Sequence, residues 1–344
     1  MKKEEWFTPD YYPEFSCKAD KCRHTCCSTW RIPVSKKEYQ KLITMECSED
    51  LNRRVQSAFV VPETVNDDVY RYVSFNWLGQ CPIQEKGLCS LHAEKGEGYL
   101  PKVCKLYPRS LKKVGVHNVA SCSSSCERII EMLYERKDLH IISIEMEAEN
   151  ELFYEIGEEE GEQILLFQEL IKDHTTSLCQ SISDICKIIN EKEFSKDYHE
   201  DIDPLPEGLK LLKRFIGQNN LFGQIAMEVY ERYEKDKELY EKDKEGFEKR
   251  YPDWMPFFER LINNSMIYEC FPFVDKRADR TSVYKGLCLT YGLLRLVCIG
   301  YCSLHDKKED LIDATAALFH LIEHTAFYYN APLICDNAAV FLKL

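Results

Sequence analysis

Residues 17–27, Cys17-Lys-Ala-Asp-Lys-Cys22-Arg-His-Thr-Cys26-Cys27, place four thiols within eleven mostly polar positions. A second block, CPIQEKGLCSLHAEKGEGYLPKVCKLYPRS (residues 81–110), adds Cys81, Cys89 and Cys104. Thiolates are soft ligands, and such a density on a short stretch suits an iron–sulfur cluster or zinc. Prolines and short apolar pieces around these blocks predict irregular loops, short helices and a small strand pair. Cys122 and Cys126 follow as a further pair at a spacing of four.

Zinc favours four tetrahedral ligands from two close Cys-x2-4-Cys pairs. Cys22 and Cys26 would share a face if helical and could form one such pair. The longer spacings of Cys81, Cys89 and Cys104 do not form a clean second. A cubane cluster tolerates irregular spacing, so iron–sulfur is the preferred reading and zinc the alternative. Cys47, Cys179, Cys186, Cys270, Cys288, Cys298, Cys302 and Cys335 lie scattered on helical stretches and read as small buried hydrophobes.

Working outward, the whole chain reads as mainly α: an irregular cysteine-rich metal-binding region with short strands over residues 1–128, a helix and acidic connector over 129–162, and a helical domain over 163–344. Val69 to Asn76 alternates and predicts a strand. SSSCERIIEMLYER opens like a helix, with Ser123, Ser124 or Ser125 as N-cap. Residues 145–162 are strongly acidic and read as a solvated linker or exposed helix ends. Apolar residues at three- and four-residue spacing continue through Glu162–Phe194, and Met227–Arg250 is a charged helical stretch. TSVYKGLCLTYGLLRLVCIGYCSLH predicts a buried helix, and EDLIDATAALFHLIEHTAFYYN an amphipathic one.

The 344 residues are 44% hydrophobic, enough for one large core or two smaller ones. A net charge of −13 argues against a dedicated nucleic-acid binder and suits a cationic, lysine-bearing partner. No signal-peptide-like run opens the chain, and the longest apolar run, near Leu287 to Gly300, is interrupted by Arg295, so no membrane span is expected. A cytoplasmic location follows as an expectation. In that reducing compartment clustered thiols bind metal or do redox work, and seventeen cannot all pair. The Cys-x3-Cys-x2-Cys pattern of radical S-adenosylmethionine enzymes is absent, because Thr29 stands where the third cysteine would be. No glycine-rich nucleotide turn follows a predicted strand.

FSCKADKCRHTCCSTWRIPVSKKEY, the second cysteine block with its C-x2-YPR element (Cys104, Tyr107, Pro108, Arg109) and Cys122 together resemble the flagellin lysine-N-methylase family. They resemble, more loosely, small cysteine-rich zinc- or iron-chelating proteins. Phe271 to Phe273, the Tyr291–Arg295 element and Glu323-His324 extend the likeness. One departure is Ser121-Cys122-Ser123, where relatives show Ser-Cys-Pro. The resemblance implies a methyltransferase that acts on flagellin lysines with S-adenosylmethionine and carries a [4Fe-4S] cluster. The implied ligands come from Cys17, Cys22, Cys26, Cys27, Cys81, Cys89, Cys104 and Cys122. Three ligands would leave one iron open to the methyl donor; four would make the cluster structural or redox-sensing.

A lysine amine attacks only when neutral, so such an enzyme must desolvate it or offer a base. Glu323, His324, Tyr107 and Tyr291 are candidate helpers. Arg109 and Arg295 could hold the carboxylate of S-adenosylmethionine, or form structural ion pairs. His92, His117 and Trp30 read as packing groups around the thiols. The competing reading is a metal-chelating binding or sensor protein without catalysis.

Overall fold

A computed structural model describes residues 3–28, 30–76, 79–147, 154–172, 176–199, 201–274 and 276–344. The chain is mainly α, with 58% helix and 11% strand. It forms two compact units: residues 16–108, and residues 1–15 together with 109–344.

In the larger unit a five-stranded sheet runs in the order Tyr154–Ile156, Arg109–Val114, His117–Cys122, Glu4–Pro9, Ile141–Met146. The hairpin pairs Arg109 with Cys122 and turns through Gly115, whose φ of 59° favours glycine. Glu4–Pro9 lies parallel to His117–Cys122 and antiparallel to Ile141–Met146. The sequence reading groups residues 1–15 and 109–122 with the cysteine block, but strand pairing draws both into this sheet. The described part of the acidic connector is likewise the end of one strand, a short second strand and the start of the Glu158–Ile171 helix.

Helices make up the rest. Asp279 caps the Arg280–Leu304 helix by accepting from the Ser282 N–H at 2.7 Å. By length and composition this helix could cross a membrane, yet 83% of its apolar window is buried inside the protein, where it is the central core helix. Arg295, the cation in its buried middle, ion-pairs with Glu248 at 2.7 Å, donates to the Leu344 carbonyl and stacks on Trp254 at 3.9 Å. Met227–Arg250 is not one helix but parts of two, Leu221–Lys235 and Leu239–Arg250.

Gly292 on the central helix lets the carboxy-terminal turn close in. A Cβ there would lie 2.5 Å from Phe341 Cβ, which is backbone-anchored and cannot swing away. Gly292→Ala is therefore expected to destabilise the protein by about 2–3 kcal/mol. Urea denaturation checks this; an unchanged midpoint would refute the close packing.

The smaller unit is tied by side chains that bridge its short elements. Ser35 and Glu38 form a capping box on the Lys36–Thr44 helix. The second Glu38 oxygen accepts from the Lys102 N–H at 2.6 Å and so anchors the Lys102–Leu106 helix that carries Cys104. Glu94, on the helix that follows Cys89, accepts from the Ser48 N–H and hydroxyl. Gln84–Glu85 and Leu88–Cys89 pair through a turn whose two central residues, Lys86 and Gly87, both have positive φ, the geometry of a two-residue hairpin. Arg71–Val73, inside the predicted Val69–Asn76 strand, pairs with Pro33–Val34 and Phe59–Val60.

Candidate metal centre and buried acid

None of the seventeen cysteines is joined in a disulfide. The two sequence blocks meet directly: Ser28 bridges Gln80, and the Cys81 N–H donates to the Cys27 carbonyl at 3.0 Å. Gln84 reinforces the junction by donating to Thr25 Oγ at 2.7 Å.

Four thiols sense one another across that junction. Burial pushes Cys81 up to about 11, and the charges of Cys27 and Cys89 add to it. Burial also raises Cys104, followed by the charges of Cys27, Cys81 and Cys89. Cys89 is raised by burial and by Cys27. Cys27 moves the other way, to about 7, chiefly because Cys26 hydrogen-bonds to it. The same sulfurs are met by backbone amides. Cys81 takes hydrogen bonds from Ile83 and Gln84, and Cys89 from Leu91 and His92. Amides two and three residues beyond a cysteine, aimed at its sulfur, stabilise the thiolate a metal requires.

Among the described residues no three His, Cys, Asp or Glu side chains are gathered tightly enough to form a finished metal site. The donor set nevertheless fits a soft metal or cluster. It offers four thiols that act on one another electrostatically, two of them with amide hydrogen bonds at sulfur, and a cation placed among them would offset the burial and repulsion that raise Cys81, Cys89 and Cys104. Cys27, Cys81, Cys89 and Cys104 would hold it, with Cys26 adjoining.

The other sequence candidates fall elsewhere. Cys17 is exposed and accepts from the Ala19 N–H. Residues 22–27 are bends and irregular chain rather than helix, so Cys22 and Cys26 do not share a helical face. Cys122 is buried in the larger unit, where its electrostatic neighbours are Arg109 and Cys126. Tyr107 packs its ring against Trp30 at 5.5 Å. Arg109 donates to the Phe15 carbonyl at 3.1 Å and lies over the Phe15 ring. The guanidinium of Arg295 is engaged in its pair with Glu248. Tyr291 is buried, and burial raises its phenol to about 12.

Glu323 and His324 end the Lys308–His324 helix and meet the Ser121–Cys126 segment. Ser123 Oγ donates to Glu323 Oε2 at 2.6 Å, and the Ser124 and Ser125 amides hydrogen-bond the same carboxyl. Ser125 Oγ and His324 Nε2 are 2.7 Å apart, and the His320 ring lies edge-on at 5.0 Å. Asn264 organises this segment from behind, donating to the Cys122 carbonyl and to Ser124 Oγ and accepting from Tyr11 at 2.5 Å.

The serines therefore do not cap the following helix as the sequence predicts. That helix, Glu127–Glu135, has Cys126 at its N-cap with no side-chain hydrogen bond. The Ser123 and Ser125 hydroxyls serve two residues about 200 positions away and the Ser124 hydroxyl accepts from Asn264, which no local pattern encodes. Asn264, Tyr268 and Tyr11, also missed by sequence reasoning, carried no signal beyond a helical face or an aromatic-rich terminus.

Although Glu323 is half-buried as a residue, its carboxyl faces inward. Oε1 is sealed from solvent and makes no close hydrogen bond, and the Ser265 hydroxyl, likewise sealed, acts on the same carboxyl. Burial raises this carboxyl to about 7, against the pull of Ser123, Ser265 and the amides. Burial lowers His324 to about 3, assisted by His320. At neutral pH the histidine is an uncharged hydrogen-bond partner, and the glutamate is poised to take or give a proton. Tyr268 lies within its field, raised by burial and then by Glu323.

Residues 16–127 match the family model of a zinc- or iron-chelating domain. Two lysine-N-methylases show similarity, one from Salmonella typhimurium (strain LT2), 26% identical over 113 residues, and one from Salmonella choleraesuis (strain SC-B67), 25% identical over 112 residues. Each alignment covers 32% of this chain and 27% of the relative, so the chain spans about a quarter of the length of the curated relatives it matches. No solved structure matches. Residues 125–333, more than half of the chain and including Ser125, Tyr268, Glu323 and His324, match the FliB lysine N-methylase C-terminal domain, and the chain belongs to that family.

Proposed function

We propose that this protein is a cytoplasmic lysine N-methyltransferase that modifies flagellin, takes the methyl group from S-adenosylmethionine and holds a [4Fe-4S] cluster through Cys27, Cys81, Cys89 and Cys104. The observation that carries the reading is Glu323: a carboxyl turned into the fold, held by Ser123 and two backbone amides, with a proton affinity near neutrality, inside the methylase-family stretch. A substrate ammonium brought to this carboxyl loses its own hydration, which lowers its pKa toward that of the carboxyl. Glu323 takes one proton and leaves the neutral amine. The nitrogen lone pair then forms the N–CH3 bond while the methyl–sulfonium bond breaks, its electron pair staying on sulfur to give a neutral thioether. Ser123 and the two amides hold the carboxylate in place, and neutral His324 fixes Ser125. A bound cluster would supply redox capacity and cross-link the thiol-bearing loops. The net charge of −13 suits a lysine-bearing partner.

A zinc reading draws on one observation, the amide-to-sulfur bonds at Cys81 and Cys89, which a four-thiolate zinc site would use equally. Anaerobic purification followed by iron, acid-labile sulfide and zinc analysis separates the two. Iron and sulfide near four each per chain are expected, lost in Cys27→Ser and Cys104→Ser while helical circular dichroism persists. Stoichiometric zinc without sulfide would replace the cluster. Failure of the anaerobic protein to methylate flagellin with S-adenosylmethionine would leave a metal-chelating binding protein.

A further inference from the structure

The carboxyl of Glu323 is turned into the fold, with Oε1 sealed from solvent. A base in that position must still exchange its proton with water after each use. A continuous run of hydrogen-bonding groups leads away from it. Glu323 Oε2 lies 2.6 Å from Ser123 Oγ, Ser123 Oγ 2.5 Å from Ser125 Oγ, and Ser125 Oγ 2.7 Å from His324 Nε2. Each is an ordinary hydrogen-bond distance, whereas the direct step from Ser123 Oγ to His324 Nε2 is 3.5 Å, too long to carry a proton alone. At the far end, His324 and the neighbouring His320 retain exposed surface.

The polarity of the run follows from counting protons. A hydroxyl has one proton to give and two lone pairs to receive. Ser123 gives its proton to the carboxylate and receives the Ser125 N–H at 3.1 Å. Its other lone pair takes the Ser125 hydroxyl proton, which leaves Ser125 Oγ to accept from His324 Nε2–H. With the carboxyl protonated on Oε2 the order reverses. The acid then donates to Ser123, Ser123 to Ser125, and Ser125 to a bare His324 Nε2.

We infer that Ser123, Ser125 and His324 form a proton relay between Glu323 and solvent. Outward, the Glu323 proton passes to Ser123 Oγ, the Ser123 proton to Ser125 Oγ and the Ser125 proton to His324 Nε2. This leaves a carboxylate, two intact hydroxyls and an imidazolium, which releases its other ring proton and is neutral again. All three residues act through Glu323 and are positioning residues. The carboxyl titrates at about 7 and the imidazole at about 3, so the imidazolium is reached about once in 10⁴ attempts. At about 6 × 10¹² attempts per second, on the order of 10⁸ passages per second remain. Tyr11, Tyr268 and Tyr328 face the same carboxyl, but burial raises each phenol, so none competes for its proton near neutrality. Glu269 acts on Tyr268 and Tyr328, and His320 on His324. The role in turnover rests on the methylase reading; the relay itself is measured without turnover.

Time-resolved infrared spectroscopy on the full, metal-containing protein tests it. The carbonyl stretch of protonated Glu323, assigned by its loss in Glu323→Gln, is followed after a light-triggered acidification through neutrality. Ser125→Ala and His324→Ala should each slow its appearance roughly tenfold or more, a modest share of what a positioned proton carrier supplies. Added imidazole should restore the rate in His324→Ala and leave Ser125→Ala slow, because the second break lies nearer the carboxyl. The equilibrium midpoint in Ser125→Ala should stay near that of the parent, since the Ser125 amide that holds the carboxyl survives the change. Should His324→Ala lose its fold, the removal of one hydroxyl in Ser125→Ala still decides. An unchanged rate in Ser125→Ala, or a slow His324→Ala that imidazole does not restore, would overturn the relay. A protein that relays its proton but does not methylate flagellin would sink the methylase reading alone.

Discussion

Glu323→Gln is expected to cut methyl transfer to flagellin about 10²–10⁴-fold, the usual worth of a positioned general base. Glutamine has the same shape and still accepts from Ser123 Oγ through its amide oxygen, so the junction between residues 121–126 and the Lys308–His324 helix should persist. What it cannot do is take a proton from the substrate ammonium. The pH profile adds a test that a structural role would not move. With Glu323 near 7, kcat/KM should rise with pH through that region as the base ionises. Ser123 is the first of the hydrogen bonds that pull this carboxyl down. Ser123→Ala removes that pull, so the acidic limb should move to higher pH while much of the activity at pH 9 remains. Glu323→Gln activity within threefold of the parent, or an acidic limb that stays in place in Ser123→Ala, would remove Glu323 from the proton transfer.

Much of this site can be read from sequence where the chemistry is local, and little where it is long-range. The density of Cys17 to Cys27 marks a thiol centre by itself. Which stretches meet is decided by the Ser28–Gln80 bridge, which sets Cys27 beside Cys81, and by the Lys86-Gly87 hairpin, which sets Cys89 opposite Gln84. The buried Arg280–Leu304 helix is legible because its composition is apolar on every face, and Arg295 in such a helix had to be paired. Glu323 and His324 stand out through family resemblance. Their partners do not, because hydroxyl-rich Ser123–Ser125 next to a helix start carries the same local signature whether it caps that helix or hydrogen-bonds a residue 200 positions away. The sheet that joins Glu4–Pro9 to His117–Cys122 is hidden for the same reason: short strands of mixed polarity show no register until the partner is known.

Glu323 and His324 should also leave opposite marks on stability, and the pair can be separated by pH. His324 is held at about 3, below its ordinary value. Its contribution is present above about 6.5 and is lost as pH falls, because the unfolded chain binds a proton that the folded one refuses. Glu323 is held at about 7, above its ordinary value. Its contribution is present below about 4.5 and is lost as pH rises toward 7. Near pH 5.5 the unfolded chain carries the proton on His324 and the folded chain carries it on Glu323, so the two slopes cancel. Glu323→Gln removes the folded-state proton, and urea-unfolding stability should then fall by about 1.4 kcal/mol per pH unit on acidification, relative to the parent. His324→Asn removes the unfolded-state proton and should shift the slope by the same amount in the opposite direction. Referencing each variant to the parent cancels every other titrating group, apart from His320 and Tyr268, which face the pair and can couple to it. Parallel stability–pH curves for all three proteins would mean that neither group is buried as described, and the acid proposed to accept the lysine proton would be an ordinary surface carboxylate.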